Sequence, residues 1–511
     1  TSSEAMARFF RSLPFFVALL FTAAGATLIP AVYGAAVGDF DSARVFFYSG
    51  ILIAIGATLI GLAMQVAARA ETEQRYLISL LLSYLWLPAV LSVPMLEAVG
   101  NTRLVNVYFD MVSAFTTTGA PVFEAPRLAD AVHLWRATGA WFGGVRSWMT
   151  ALGVLQPLDL GGFEVTAEGS VSGRLMPATT QMQVAAPAAR LRRQAADLAP
   201  VYVSLTVLLA VGLALGGERP VHALIHAMST LSTSGITAAA AGLPGSGAGV
   251  PGEMLIFVFF LFALTRHSFS GGLRRQLPSE LARDREVRLA VGAVVVLPTL
   301  LFLRHWAGAL SVDELSDVDG ALAALWGSVF TVLSFLTTTG FVSESWAEAR
   351  SWSGLETPGL ILVGLVMMGG GVATTAGGVK LLRVYALYKH GAREIDRLIH
   401  PHSVAGAGRL GRRIRREGAY IAWVFFMLFV VSLAAVMLAL AATGLDFEQA
   451  LILAISALST TGPLAAVAGA EPVPYIALGD AAKLILAAAM ILGRMETLVF
   501  IAVFNPAFWR S

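Results

Sequence analysis

Apolar residues run through this chain in long stretches separated by short polar segments. A helix needs roughly 20 mostly apolar residues to cross the hydrocarbon core of a bilayer, which is about 30 Å thick. Stretches of that length predict ten spans. They cover residues 13–38, 46–69, 76–98, 131–155, 198–216, 254–272, 287–304, 356–388, 418–442 and 481–504. The pattern therefore predicts an all-α polytopic membrane protein.

The composition agrees with a membrane protein. Hydrophobic residues make up 57% of the 511 residues and charged residues only 13%, whereas soluble domains carry about 25% charged residues. The sequence has no Cys, which excludes disulfides, thiolate metal sites and Cys nucleophiles. The first apolar stretch follows Arg8 and Arg11, but it is too long for a signal peptide and lacks a clear cleavage site, so we expect it to span.

Basic residues are concentrated in alternate connections between the spans. Residues 382–417 hold nine Arg or Lys against three acids, residues 272–288 hold five, and residues 190–193 hold three. Residues 442–480 hold none and carry four acids. The positive-inside rule predicts that the basic connections are cytoplasmic. With ten spans, both termini are predicted to be cytoplasmic as well.

A short motif recurs four times, each time between two spans on the predicted outward side. Aligned on its final Gly, every copy has Ser six residues earlier, Phe or Leu four earlier, Thr two earlier, and Ser or Thr three and one earlier. The copies are Ser113-Ala-Phe-Thr-Thr-Thr-Gly119, Ser229-Thr-Leu-Ser-Thr-Ser-Gly235, Ser334-Phe-Leu-Thr-Thr-Thr-Gly340 and Ser456-Ala-Leu-Ser-Thr-Thr-Gly462. The shared register predicts four copies of one structural unit.

Each motif follows a stretch of about one to four helical turns, which is too short to cross a membrane and predicts a re-entrant pore helix. Irregular backbone at membrane depth is tolerated where it lines a wet cavity, and Gly permits a strained turn there. Four such strands around one axis can form rings of carbonyl oxygens that replace the hydration shell of a monovalent cation. A helix C-cap explains one copy alone, but four copies in register favour the pore.

The predicted ion-binding filter is the last three residues of each copy. These residues are Thr117, Thr118, Gly119, Thr233, Ser234, Gly235, Thr338, Thr339, Gly340, Thr460, Thr461 and Gly462. No catalytic residue is predicted, so we do not expect an enzyme. An intramembrane hydrolase would use one Ser, such as Ser113, with a base nearby, whereas here the hydroxyls are replicated four times and His partners are not.

The repeats, together with residues 134–144, 369–380 and 493–510, resemble the TrkH/KtrB family of bacterial potassium uptake proteins, within the superfamily of K⁺ transporters. The resemblance covers about residues 76–511. It implies four units of outer helix, pore helix, filter and inner helix around one pore, and the first two spans look like the extra N-terminal pair of TrkH proteins. K⁺ is then the ion held at the filter residues, and no organic cofactor is expected.

The resemblance implies a division of the chain and a set of partners. The division is an N-terminal helix pair (1–75), repeat 1 (76–160), a cytoplasmic connection (161–197), repeat 2 (198–286), repeat 3 (287–390), a basic cytoplasmic connection (391–417) and repeat 4 (418–511). The implied partners are a second copy in a homodimer, a cytosolic nucleotide-binding subunit of the TrkA type, and membrane lipid, with no nucleic acid. The implied location is the bacterial inner membrane. A symporter coupled to Na⁺ or H⁺ is the alternative, although such folds usually show inverted repeats.

Glycines interrupt the third inner segment. Five of them lie in residues 369–378, and each costs about 1 kcal/mol relative to Ala inside a helix, which predicts an unwound stretch. From the residues alone, a kinked helix packed through small residues is equally compatible. The resemblance implies an intramembrane gate made of Gly369, Gly370, Gly371, Thr374, Thr375, Gly377, Gly378, Lys380 and Arg494.

Arg494 lies inside the last span, where a charge costs roughly 2.5–3.5 kcal/mol, and it resembles the Arg of the family near the inner pore. An ion pair with Glu496 or snorkelling to the surface is the alternative. Arg146 and Arg266 depart from the family pattern; they would restrict conductance only if they faced the axis.

Two other sequence patterns are found in known binding sites, but neither predicts a binding site here. Residues 406–411 fit the G-x-G-x-x-G pattern but follow no predicted strand. The pairs His222/His226 and His400/His402 lack the further ligands that a metal site requires.

Overall fold

The computed structural model describes residues 15–65, 73–151, 187–239, 242–265, 284–309, 318–353, 359–400, 416–469 and 471–495. Within these ranges the chain forms helices and no strand, which confirms the predicted all-α class. Seven helical stretches of the described residues are long and apolar enough to cross a membrane. They contain residues Phe16–Val37, Phe40–Ala63, Leu82–Val99, Arg193–Leu215, Arg285–Arg304, Asp319–Leu336 and Gly418–Ala441.

Each of the four repeats contributes an outer helix, a pore helix and an inner helix, numbered here by repeat. The outer helices are Glu73–Val99, Pro187–Leu215, Arg285–Ala309 and Arg416–Ala441. The pore helices are Leu104–Phe115, Pro220–Ser232, Val318–Leu336 and Phe447–Leu458. The inner helices are Asp130–Thr150, Gly249–Phe259 with the 3-10 turn Phe260–Ala263, Gly359–Met368 with Leu381–Ile399, and Asp480–Met495.

The remaining helices flank these repeats. Phe15–Ala26, Leu28–Val37 and Phe40–Gln65 form the N-terminal pair of spans, the first being interrupted at Thr27. A short helix, Trp346–Ser353, follows the third motif. Its contacts are with pore helix 3 and outer helix 3.

The inner helices close a ring around one axis. Inner helix 1 contacts pore helices 1 and 2, inner helix 2 contacts pore helices 2 and 3, inner helix 3 contacts pore helices 3 and 4, and inner helix 4 contacts pore helices 4 and 1. Because this order returns to the first repeat, the four repeats surround a single central path. The N-terminal helices pack outside the ring, against outer helix 1 and inner helix 1. The predicted four pseudo-repeats with an extra N-terminal pair are therefore confirmed.

Pore helix 3 is longer than predicted. It has 19 residues, which is about five turns, whereas the other pore helices have 12 or 13. The expectation of at most four turns was wrong for this copy, because residues 321–325 are Ala and Leu, which favour helix, and they extend the helix towards its N-terminus. The helix still ends at the third motif, and the following short helix folds back against it.

A buried ion pair joins pore helix 1 to inner helix 1. Arg136 donates from Nε to Asp110 Oδ2 at 2.7 Å and from Nη2 to Asp110 Oδ1 at 3.0 Å, and both side chains are almost fully buried. On its other side, pore helix 1 is held by Lys483 of inner helix 4, whose Nζ donates to Asn106 Oδ1 at 2.8 Å. A buried charge left without its partner is strongly destabilising, so these contacts fix the position of the first motif.

Candidate functional site

All four pore helices end in the same backbone turn. The Thr two residues before each motif Gly has a positive φ: 56° at Thr117, 53° at Thr233, 57° at Thr338 and 52° at Thr460. The residue after that Thr donates its N–H to the carbonyl of the motif Ser in every copy, and the four pairs are Thr118–Ser113, Ser234–Ser229, Thr339–Ser334 and Thr461–Ser456, at 2.8–2.9 Å. A hydrogen bond of this kind, which spans a residue with left-handed backbone, defines the Schellman C-cap.

The motif Gly is therefore not the residue that caps the helix. Gly normally takes the left-handed position of such an ending, yet here a Thr takes it in every copy. A positive φ is uncommon for residues other than Gly and costs about 1–3 kcal/mol. Because a Thr already takes the left-handed position in all four copies, the Gly two residues later serves another purpose.

That purpose is the close approach of the four strands to one another. A Cβ on Gly119 would collide with the carbonyl oxygen of Ser234, and a Cβ on Gly235 would collide with that of Thr339. A Cβ on Gly340 would lie 3.0 Å from the Cβ of Pro463, which follows the fourth motif.

The fourth contact closes the circle. A Cβ on Gly462 would collide with the backbone of Ala120 in the first repeat, and the Gly462 N–H donates to the Thr118 carbonyl at 2.6 Å. The structure thus brings the four predicted filter strands together, in the order 1, 2, 3, 4 and back to 1.

A cavity of about 620 Å³ lies against one side of this ring. Its lining includes all four motif glycines. Most other lining side chains are apolar or Pro, including Pro121, Phe123, Phe341 and Pro463. The ring is therefore reached from a wide, mostly uncharged vestibule.

On the other side of the ring, inner helix 3 is interrupted. It ends at Met368, a new helix begins at Leu381, and residues 369–380 between them form a non-helical segment that we call the intramembrane loop. Gly369 and Gly378 have φ of 72° and 76°, and Lys380 has 83°. The Lys380 ammonium donates to the Ala376 carbonyl.

The intramembrane loop contacts three of the repeats directly. Thr375 Oγ1 donates to the Leu231 carbonyl at the end of pore helix 2, at 3.3 Å. The Gly377 N–H donates to Thr338 Oγ1 of the third motif at 2.7 Å. A Cβ on Gly377 would collide with the Ser459 carbonyl oxygen of the fourth motif. The loop therefore lies directly beneath the ring.

The rest of the loop is packed against inner helix 2 and outer helix 3. The Gly371 N–H donates to the Ala263 carbonyl at 3.0 Å, and a Cβ on Gly370 would lie 2.8 Å from the same oxygen. Thr374 Oγ1 donates to the Gly371 carbonyl at 2.7 Å and so closes the turn. Glu286, buried at the start of outer helix 3, accepts the Val372 N–H at 2.8 Å.

Arg494 joins the loop to the first and fourth filter strands. Its guanidinium donates to the Thr375 carbonyl at 2.7 Å, to the Thr116 carbonyl at 2.9 Å, to Thr460 Oγ1 at 3.3 Å, and also to Thr117 Oγ1. The side chain points towards the axis rather than towards a lipid surface. The alternative partner Glu496 lies outside the described residues.

Arg146 is placed away from the axis. It donates to Ser83 of outer helix 1, and its guanidinium carbon lies 4.2 Å from the centre of the Tyr84 ring and 5.2 Å from that of Phe115. Such cation–π contacts favour a partly desolvated Arg. Arg146 therefore packs behind pore helix 1. Arg266 and residues 406–411 lie outside the described residues.

The histidine pair predicted to be structural has local partners. His226 contacts Glu218 through Nδ1 and Thr237 Oγ1 through Nε2, the latter at 2.9 Å. His222 lies 3.5 Å from Asp130. Among the described residues there is no cluster of three or more His, Cys, Asp or Glu that could hold a metal ion. His402 lies outside the described residues.

Sequence reasoning missed several residues outside the ring that hydrogen-bond to the backbone at or just after the motifs. Glu253 of inner helix 2 accepts from Ser343 Oγ at 2.7 Å and from the Glu344 N–H at 2.6 Å, just after the third motif. Tyr475 donates to the Gly462 carbonyl at 3.0 Å. The available signal was weak: Glu253 and Glu286 are carboxylates at the ends of apolar spans, where flanking charges are common.

Fold and site together define a multi-pass membrane protein with four pseudo-equivalent strands converging on one axis. A profile of the TrkH family, described as cation transport proteins, matches residues 287–511. The chain is 30% identical over 415 residues to the Trk system potassium uptake protein TrkH of Salmonella typhimurium, which covers 80% of each chain. It is 27% identical over 433 residues to the potassium uptake protein TrkI of Halomonas elongata, covering 84% of this chain and 83% of that one.

The fold matches a solved structure over nearly its whole length. The crystal structure of the potassium transporter TrkH from Vibrio parahaemolyticus superimposes with a TM-score of 0.81, at 24% sequence identity, and covers 98% of this chain and 100% of that one. The 30% identity to the Salmonella typhimurium protein over 80% of each chain shows that the chain belongs to the TrkH family, as its sequence motifs predicted.

Proposed function

We propose that this chain takes up K⁺ through the ring formed by its four filter strands. The observation that carries the proposal is the convergence of Gly119, Gly235, Gly340 and Gly462 within van der Waals distance of neighbouring strands. A path lined by backbone oxygens offers ligands without net charge, which suits a monovalent cation that has lost its hydration shell. The relatives that cover most of the chain are named as potassium uptake proteins.

The ion-binding residues are then the twelve predicted filter residues. In repeats 2 and 3 the residue before the motif Gly supplies a carbonyl at the level of closest approach, as the contacts of the Ser234 and Thr339 carbonyl oxygens indicate. The C-terminal ends of the pore helices carry partial negative charge and point at this path, which further favours a cation.

The intramembrane loop acts as the gate in this proposal. Its contacts with Leu231, Thr338 and Arg494, on the side of the ring opposite the vestibule, support this role. An ion leaving the filter would meet both the loop backbone and the guanidinium of Arg494, a steric and an electrostatic barrier. Opening requires that the loop leave these contacts, and a cytosolic TrkA-type nucleotide-binding subunit is the proposed source of that change.

The proposed setting is the bacterial inner membrane, with both termini in the cytoplasm and two chains forming a homodimer, each with its own pore. The cytoplasmic side is assigned from the basic connections by the positive-inside rule. A hydrolase is disfavoured, because Ser113 Oγ accepts the Ala120 N–H at 2.6 Å and is buried.

Ion flux in liposomes tests the proposal. Purified protein should carry K⁺ and Rb⁺ faster than Na⁺, with reversal potentials that follow the K⁺ gradient. Equal flux of the three ions would contradict it. A reversal potential that shifts with an imposed Na⁺ or H⁺ gradient would instead establish coupled symport.

A further inference from the structure

The fourth filter strand has a different backbone from the other three. Gly119, Gly235 and Gly340 have φ of 69°, 66° and 83°. Gly462 instead begins a 3-10 helix, Gly462–Ala466. Pro463 follows at once, and its fixed φ suits the first turn of a helix. The repeat is therefore broken at the level where the strands are closest.

Two hydroxyls behind the fourth strand hold its last two carbonyls. Ser456 Oγ donates to the Thr461 carbonyl at 2.8 Å, and the Tyr475 hydroxyl donates to the Gly462 carbonyl at 3.0 Å. The two hydroxyl oxygens are 2.8 Å apart. Both side chains are buried, and Tyr475 lies in the wall of the vestibule.

Tyr475 lies outside the ring of strands. Its aromatic ring contacts Phe109 of pore helix 1, with centroids 5.7 Å apart. A carbonyl that accepts a bond from this side is turned at least partly away from the axis. The Thr118 carbonyl of the neighbouring strand is also engaged, since it accepts the Gly462 N–H at 2.6 Å.

The equivalent Ser residues of the first two repeats act differently. Ser113 makes its shortest bond as an acceptor, from the Ala120 N–H at 2.6 Å. Ser229 pairs with the Ser234 hydroxyl at 3.1 Å. In the described parts of these two repeats, neither Ser holds a carbonyl of the last two filter residues. Ser334 Oγ of the third repeat has no hydrogen-bond partner, so among the described repeats the hydroxyl pair is a feature of repeat 4.

We propose that Tyr475 is a positioning residue for ion selectivity: with Ser456, it holds the Thr461 and Gly462 carbonyl oxygens off the axis and leaves the outer level of the filter with an incomplete oxygen ring. The inference rests on the proposed function. A K⁺ ion is discriminated from Na⁺ by the number and field of its carbonyl ligands. An incomplete ring lowers that discrimination.

Removing the Tyr475 hydroxyl should therefore raise selectivity. A buried carbonyl without a donor is costly, and the ion on the axis is the partner to which the Gly462 carbonyl can turn. One hydrogen bond corresponds to roughly a threefold to tenfold change in an equilibrium constant. The Tyr475→Phe variant should show a K⁺ over Na⁺ preference raised by about that factor.

The test is Na⁺ competition against K⁺ uptake in proteoliposomes, for wild type, Tyr475→Phe, Ser456→Ala and the double variant. The ratio of the Na⁺ inhibition constant to the K⁺ KM should rise in each single variant, and the two effects should not add, because both hydroxyls act on one strand. Tyr108→Phe is the matched control, since its hydroxyl donates to the Leu85 carbonyl at 3.2 Å, away from the ring.

An unchanged or lowered ratio in Tyr475→Phe, with K⁺ uptake retained, would overturn the inference. If that variant does not reach the membrane, Ser456→Ala decides by the same criterion. Wild-type protein that carries no K⁺ would refute the proposed function instead, so the two failures are distinguishable.

Discussion

Arg494 on inner helix 4 donates to the carbonyl of Thr375 in the intramembrane loop at 2.7 Å. The same guanidinium donates to the Thr116 carbonyl of the first repeat at 2.9 Å. One cation therefore joins the loop to the underside of the filter. Bonds from a charged donor are worth about 1.5–3 kcal/mol each, so this group contributes much of the free energy that holds the loop against the motif strands.

Arg494→Ala should raise basal K⁺ flux in the absence of any regulatory subunit, by about tenfold or more, because the loop loses its bond and the path loses a positive charge. Rb⁺ efflux from liposomes measures this. Arg127→Ala is the control, since its guanidinium contacts the exposed Asn101 carbonyl, away from the axis. Flux that stays at the wild-type level in Arg494→Ala would contradict the gating role.

Glu286→Ala should likewise loosen the loop, because Val372 loses its acceptor. Glu286→Gln keeps an oxygen that can accept the Val372 N–H, so the loop should stay in position and the path should stay closed. We expect basal flux about threefold or more above wild type in the Ala variant and near wild type in the Gln variant, measured in the same efflux assay. Glu97→Ala, on an exposed part of outer helix 1, is the control. Equal flux in the Ala and Gln variants would argue against a loop anchor.

Gly340→Ser should weaken K⁺ over Na⁺ discrimination by about fivefold or more. The new Cβ would lie 3.0 Å from the Cβ of Pro463, at a backbone φ of 83°, so the third and fourth strands must separate. Relative uptake of the two ions by a strain deficient in K⁺ uptake provides the measurement. Gly364→Ser is the matched control, since a Cβ there meets nothing within 4 Å. Unchanged discrimination at Gly340 would contradict its place in the filter.

Asp110→Ala should lower the free energy of unfolding by about 3–5 kcal/mol, because it leaves Arg136 buried without its counter-charge. Arg103→Ala removes an exposed ion pair with Asp480 and should cost no more than about 1 kcal/mol. Thermal unfolding in detergent compares the two variants. Similar losses would show that the buried pair does not hold pore helix 1.

The repeats and the fold class could be predicted because each depends on a local sequence pattern. Apolar length gives the spans, and the register of Ser, Thr and Gly identifies four equivalent strands. The left-handed Thr of each copy was not predictable, since propensity assigns that position to Gly. The length of pore helix 3 was also missed, because helix propensity alone does not say where a re-entrant helix starts.

Contacts between distant parts of the chain could not be predicted from the sequence. The bond from Val372 to Glu286 and the bond from Tyr475 to Gly462 depend on the tertiary packing of apolar helices, and neither has a local signature. Arg383 belongs to a basic segment typical of cytoplasmic loops, yet it is fully buried with its guanidinium 3.7 Å from the centre of the Phe425 ring. A long side chain can pack in this way wherever an aromatic face is near.

The position of a bound ion tests the central claim most directly. Anomalous diffraction from crystals grown in Rb⁺ should show density on the axis, enclosed by backbone oxygens of all four strands at the level of Thr117, Thr233, Thr338 and Thr460. Density confined to the vestibule or to the protein surface, with the ring free of ions at saturating Rb⁺, would contradict the account.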